Sequence, residues 1–177
     1  MGEAHVASTP ALALLVVRGV PHTVYEYEVE SPSGPEAHRG ARVSYGSAAA
    51  AALGVPPERL YKTLVIALEG GSATPGELAL AVLPSSAELS ERAAAAALGA
   101  KRASLARTDA VQRATGSVPG GVSPIATRRP MRTLIDASAE EHAEILVSAG
   151  RRGLSVGLTP RELLTICAAT LVPLVAR

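Results

Sequence analysis

The sequence predicts an α+β fold in a single compact domain, with a central mixed, mainly antiparallel β-sheet surrounded by helices. Three observations carry this. A chain of 177 residues has the length of one domain. It is 47% hydrophobic yet contains no Trp, no Phe and only 4 Tyr, so its core must be aliphatic. Short apolar runs and alanine-rich segments alternate irregularly, with no internal repeat and no sustained strand-helix-strand period, which disfavours a parallel barrel or a doubly wound sheet.

The elements follow in order. Thr9-Pro10 caps a first helix with apolar positions at Leu12, Leu15 and Val16, and Gly19 ends it ahead of an extended segment at Thr23 to Tyr27. Residues 30–46 mix Ser, Pro and Gly with charges and read as an exposed loop, long for a compact domain. Ser47 to Leu53 is alanine-rich and predicts a helix stopping at Gly54. Thr63 to Leu68 and Leu78 to Leu83 predict paired strands around a turn segment holding Gly70, Gly71, Pro75 and Gly76. Ser90 opens a helix that runs to Leu98 and stops at Gly99, and a short helix is expected over Asp109 to Thr115. Met131 to Ile135, Glu144 to Val147 and Leu154 to Leu158 supply further strands. Thr159-Pro160-Arg161-Glu162 has the pattern of a capping box and opens a last helix through Ala168.

Composition bounds the function. The net charge of +1 removes any whole-chain attraction to a polyanion. Locally the balance differs: Lys101, Arg102, Arg107, Arg113, Arg128, Arg129 and Arg132 stand against a lone acid, Asp109. This stretch is either a phosphate-facing cleft or a solvated surface with charges pointing in several directions. Scarce aromatics argue against reading a single strand by successive base stacking, although Tyr25, Tyr27, Tyr45 and Tyr61 remain available for isolated contacts. The single cysteine, Cys167, excludes an internal disulfide and reads as a small buried hydrophobe among Leu163, Leu164 and Ile166. No apolar stretch of about twenty residues spans a membrane, and the first nineteen residues lack the pattern of an export signal, so a cytoplasmic location is expected.

The motifs that carry known chemistries are mostly missing. His5, His22, His38 and His142 have no metal-ligand spacing, and no phosphate loop, dinucleotide fingerprint or G-x-S-x-G elbow occurs. No metal and no cofactor are expected. Lys62 is the lysine that stands out, between Tyr61 and Thr63 at the start of an apolar strand. Its charge would either stabilise an anionic group or guard a strand edge against unwanted pairing. The segment Gly116 to Pro124 is restricted to turns and is either a loop that brings backbone close to a ligand or a plain connection.

Taken together, Tyr61-Lys62-Thr63-Leu64, Ala81-Val82-Leu83-Pro84, Leu98-Gly99-Ala100-Lys101, the Gly116 to Pro124 loop, Ile135-Asp136-Ala137 and Val147-Ser148-Ala149-Gly150-Arg151-Arg152-Gly153-Leu154 occur in an order and spacing that resembles the YbaK/ProX family of aminoacyl-tRNA deacylases. The similarity runs from Thr9-Pro10 almost to the C-terminus. The family is related to the editing domain of bacterial prolyl-tRNA synthetase. The resemblance implies that fold over residues 1–177 and hydrolysis of a mischarged aminoacyl ester, with Cys-tRNA(Pro) as the expected substrate and Ala-tRNA(Pro) as the alternative. By the same resemblance Lys62 and Gly121 are the catalytic positions, and Tyr27, Thr63, Gly120, Ser123, Asp136 and Ser148 bind substrate.

In such a mechanism water attacks the ester with no covalent protein intermediate, helped by a terminal ribose hydroxyl and, for cysteine, by the substrate thiol. The protein positions and stabilises; Asp136 and Ser148 act as organisers rather than nucleophiles. The implied partners are mischarged tRNA, tRNA(Pro) in particular, and prolyl-tRNA synthetase in a transient complex. Two departures fall near the expected pocket rim: Val29 stands where relatives often have a histidine, and the Pro/Gly-rich segment before Ser44-Tyr45-Gly46 is longer. A noncatalytic module that binds tRNA or a synthetase is the reading of a different class, and salt-sensitive binding without deacylation would mark it.

Overall fold

A computed structural model describes residues 8–29 and 45–176. The elements are α1 (Pro10–Val17), β1 (Thr23–Glu26), α2 (Tyr45–Leu53), β2 (Tyr61–Glu69), β3 (Leu78–Pro84), α3 (Glu91–Ala97), β4 (Arg102–Leu105), α4 (Thr108–Thr115), β5 (Arg132–Asp136), β6 (Ile145–Ser148), β7 (Leu154–Leu158), α5 (Pro160–Ile166) and β8 (Thr170–Val172). Short 3₁₀ turns lie at Pro57–Arg59 and Ala137–Glu141. Most of the loop expected over 30–46 lies outside the described residues, and its last two positions, Tyr45 and Gly46, already belong to α2.

The α+β class and the mainly antiparallel pairing are as expected, but the strands divide into two sheets rather than one. The larger has the order β4-β2-β3-β5-β8 and the smaller β1-β7-β6. In the first, β2 and β3 pair antiparallel with Lys62 opposite Leu83 and Thr63 opposite Val82, while β5 joins β3 in parallel. In the second all pairs are antiparallel, and Tyr25 of β1 lies opposite Ser155 of β7. A parallel bridge between Leu60 and Leu146 brings the start of β2 beside β6 and so joins the sheets where Lys62 emerges.

Local signals account for the helix ends. Thr9 caps α1 by accepting the Leu12 N–H, and its own hydroxyl donates to the Ala149 carbonyl at 2.5 Å, tying α1 to the end of β6. The capping box at Thr159 and Glu162 is formed in full. The α1 stripe that faces inward is Ala11, Leu12 and Leu15, whereas Val16, expected on that face, is 68% exposed at its solvent border. Strands β4 and β8 carry no apolar run: within β4 only Ala103 is buried, as befits a sheet edge.

The core is aliphatic. One cluster sets Leu12 and Leu15 of α1 and Leu163 of α5 against Val147, Leu154 and Val156 of the smaller sheet. Another packs Ala94, Ala95 and Leu98 of the α3 region on Ile66, Ala79 and Leu134. Cys167 is largely buried beside the first cluster and donates to the Pro124 carbonyl at 3.4 Å; burial pushes its thiol up to about 12.

Candidate active site

A cavity of about 200 Å³ opens where the two sheets meet, lined by Tyr27, Tyr45, Gly46, Ala49, Leu60, Tyr61, Lys62, Thr63, Leu64, Ser85, Gly120, Val122, Ser148 and Ser155. Six segments build it: the β1 exit, the α2 start, the β2 start, Ser85 after β3, the glycine-rich loop and the β6-β7 hairpin. Five of the positions expected from sequence share this lining, namely Lys62, Thr63, Gly120, Tyr27 and Ser148.

Lys62 reaches its place because β2 begins there, immediately after the buried Tyr61. Its ammonium donates to the Ala87 carbonyl at 2.5 Å. Desolvation lowers the Lys62 pKa, and the charge of Glu88 partly opposes that shift. Beside it the Thr63 hydroxyl oxygen is buried and makes no hydrogen bond among the described residues. On the opposite wall Tyr27 and Ser155 join their hydroxyls at 3.1 Å, and burial pushes the Tyr27 phenol up to about 12. Ser148 Oγ accepts the Gly150 N–H at 3.3 Å, which steadies the hairpin turn.

Three expected positions do not line the cavity. Gly121 sits behind Gly120, and its N–H donates to the Val118 carbonyl at 2.9 Å, so that amide serves the turn. Ser123 is buried and its Oγ accepts the Ile125 N–H at 3.1 Å. Asp136, 4% exposed, accepts from Ser138 N–H at 3.0 Å, Ser138 Oγ–H at 2.6 Å and Leu174 N–H at 2.6 Å. Its carboxylate is taken up inside the fold, and its link to the cavity is indirect: Tyr61 and Ser138 share a 2.7 Å hydroxyl pair. Val29 packs with Tyr27 and Tyr45 in an apolar cluster against Ala49 and Leu146, also outside the lining.

The basic stretch does not converge on this cleft. Arg102 pairs with Glu69, Arg107 and Arg113 with Asp109, and Arg132 with Glu77, and none of the cations from Lys101 to Arg132 lines the cavity. Their density and Asp109 are visible in the sequence, whereas Glu69 and Glu77 come from the end of β2 and the turn before β3. Besides Lys62, a cation that adjoins lining residues is Arg152, in the turn between β6 and β7: it donates to the carbonyl of Pro119, next to Gly120, and lies over the Tyr45 ring. Ser85 and Ser155 also reach the cavity without a distinctive sequence signal, whereas the paired arginines of Gly150-Arg151-Arg152-Gly153 are a visible one. Among the described residues no three His, Cys, Asp or Glu side chains are grouped to hold a metal ion, and no helix is long and apolar enough to cross a membrane.

Residues 42–166 match the aminoacyl-tRNA editing domain. The chain is 30% identical over 158 residues to EbsC of Enterococcus faecalis, a proposed Cys-tRNA(Pro)/Cys-tRNA(Cys) deacylase, covering 89% of this chain and 87% of that one. Two solved structures share the fold. A proposed trans-editing enzyme for prolyl tRNA synthetase superposes with a TM-score of 0.76 at 22% identity, over 96% of this chain and 99% of that one. The hypothetical protein APE2540 gives 0.77 at 21% identity, over 95% and 100%. The chain belongs to the aminoacyl-tRNA editing domain family. Its class of activity is aminoacyl-tRNA deacylation, hydrolysis of the ester that joins an amino acid to a mischarged tRNA.

Proposed function

We propose that this protein, acting as one domain over residues 1–177 in the cytoplasm, hydrolyses Cys-tRNA(Pro) and so clears an error of prolyl-tRNA synthetase, with which it associates transiently. The observation that carries the reading is the cavity of about 200 Å³ that Lys62, Thr63 and Gly120 line together. That volume is below the roughly 300–1,000 Å³ of sites that enclose drug-sized ligands and suits an aminoacyl group with the nucleotide left outside. A small second pocket sorts what a synthetase pocket built for a larger amino acid admits.

The chemistry is positional. Water adds to the ester carbonyl, the bond to the ribose oxygen breaks, and the proton passes to that oxygen, releasing cysteine and tRNA(Pro) with a free hydroxyl. A neighbouring ribose hydroxyl or the substrate thiol assists the proton transfer. Lys62 holds the acceptor-end phosphate or the ester oxygen, and the Gly120 backbone lies against the carbonyl where negative charge develops. An alanyl ester is smaller still, so Ala-tRNA(Pro) is the second reading.

A panel of cysteinyl, alanyl and prolyl esters on tRNA(Pro), with Cys-tRNA(Cys) as control, tests the proposal. Cysteine release from tRNA(Pro) is expected, and Lys62→Ala should keep its fold by circular dichroism while losing about 100-fold or more in turnover. Release of no amino acid from any ester would overturn it.

A further inference from the structure

Among the described residues, Arg152 is unlike the other arginines whose side chains make hydrogen bonds. Its neighbour Arg151 pairs with Glu26 at 2.9 Å, whereas Arg152 has no carboxylate within ion-pair distance among the described residues. Instead its Nε and Nη2 both donate to a single backbone oxygen, that of Pro119, at 3.0 and 2.7 Å. The guanidinium carbon stands 5.3 Å from the centre of the Tyr45 ring, in range for a cation–π contact. Tyr45 is tied in turn to the same hairpin turn, its hydroxyl accepting the Gly153 N–H at 2.8 Å.

These contacts converge on the cavity wall. Gly120, which follows Pro119 and lines the cavity, has φ +86°, and a Cβ built there would stand 3.1 Å from Tyr45 Cδ1 and 3.2 Å from Arg152 Nε. The glycine-rich loop is held at two points to one turn: Ser117 Oγ donates to the Gly150 carbonyl at 3.1 Å, and Arg152 takes the Pro119 carbonyl beyond it. The first point lies before the wall residue and the second adjoins it, so Arg152 governs where the Gly120 backbone stands.

We infer that Arg152 is a positioning residue of the deacylation site: its two hydrogen bonds to the Pro119 carbonyl and its stacking on Tyr45 hold Gly120 against the aminoacyl ester. The inference rests on the deacylase reading for its effect on turnover and on geometry alone for its effect on the loop. Lysine would keep the charge but offers neither the planar fork nor the flat stacking face.

The test compares wild type, Arg152→Ala and Arg152→Lys by three measurements: thermal unfolding, amide hydrogen exchange over residues 116–124, and kcat and KM on Cys-tRNA(Pro). With folding retained, Arg152→Ala should speed exchange in that loop about tenfold and lower kcat about tenfold, with KM within about twofold, because the ester still binds but is misaligned. Arg152→Lys should recover little of either. Unchanged loop exchange in Arg152→Ala overturns the inference, as does full kcat in Arg152→Lys or a raised KM with kcat intact, the signature of a phosphate contact. Should wild type release no amino acid, the deacylase reading falls and loop exchange alone decides whether Arg152 holds the wall.

Discussion

Asp136 and Leu174 are joined by a 2.6 Å hydrogen bond from the Leu174 N–H to the Asp136 carboxylate, across 38 residues of chain. The bond pins the segment after β8 to the end of β5, and the other carboxylate oxygen caps the 3₁₀ turn through Ser138. Replacing this acceptor with an amide turns an N–H₂ group toward donors that need a lone pair, and a buried unsatisfied group costs about 1–3 kcal/mol. Asp136→Asn should therefore lower the unfolding midpoint in denaturant while the folded fraction keeps most of its kcat/KM. A variant of undiminished stability that has lost activity would instead put Asp136 at the substrate.

Gly120 and Gly121 both leave little room for a side chain, for different reasons. At Gly120 the positive φ alone makes alanine cost about 1–2 kcal/mol, and the new methyl presses on Tyr45 and Arg152 side chains. At Gly121 a Cβ would lie 3.0 Å from the Arg152 backbone nitrogen and 3.1 Å from the Arg151 carbonyl carbon, so backbone must move. Gly120→Ala should lose turnover through the cavity wall, and Gly121→Ala should lose it by pushing the loop off the hairpin turn. Crystal structures of the two variants check this: the loop should be displaced as a unit in Gly121→Ala and distorted at one residue in Gly120→Ala.

Alkaline pH should act through Tyr27. Its phenol is raised by burial from 10.0 to about 12, so the neutral form is favoured in the folded state. The stability tied to this shift is complete below the unfolded value near 10 and is lost as pH rises toward about 12. Absorbance titration of the folded protein should show a late tyrosine component that shrinks in Tyr27→Phe, burial of Tyr61 and Tyr25 keeping the remainder, and the unfolding midpoint of that variant should fall less steeply over the same range. A Tyr27 that ionises at the ordinary phenol value of about 10 would contradict this.

Much of the fold was legible. Strands β2 and β3 announced themselves as apolar runs around a glycine-rich turn, and α3 and α5 through the Ser90 cap and the Thr159-Glu162 box. Strands β4 and β8 did not, because an edge strand with one buried side chain, or three residues long, leaves no periodicity to read. The division into two sheets was equally hidden: β1 pairs with β7, more than a hundred residues away, and nothing local encodes that partner.

For the site the boundary falls elsewhere. Sequence by itself determined the aliphatic core, the class of fold and, through motif order, the deacylase family; of the site positions it suggested, Lys62, Thr63, Gly120, Tyr27 and Ser148 line one cavity. Only the tertiary structure decided that Asp136 and Ser123 turn their polar atoms inward, that Arg102, Arg107, Arg113 and Arg132 pair with Glu69, Asp109 and Glu77, and that Arg152 reaches the loop. The physical reason is the range of the forces. Capping, turns and burial periodicity act between residues a few positions apart and are written along the chain, whereas a hydrogen bond or ion pair depends on which distant group the folded backbone brings within about 3 Å.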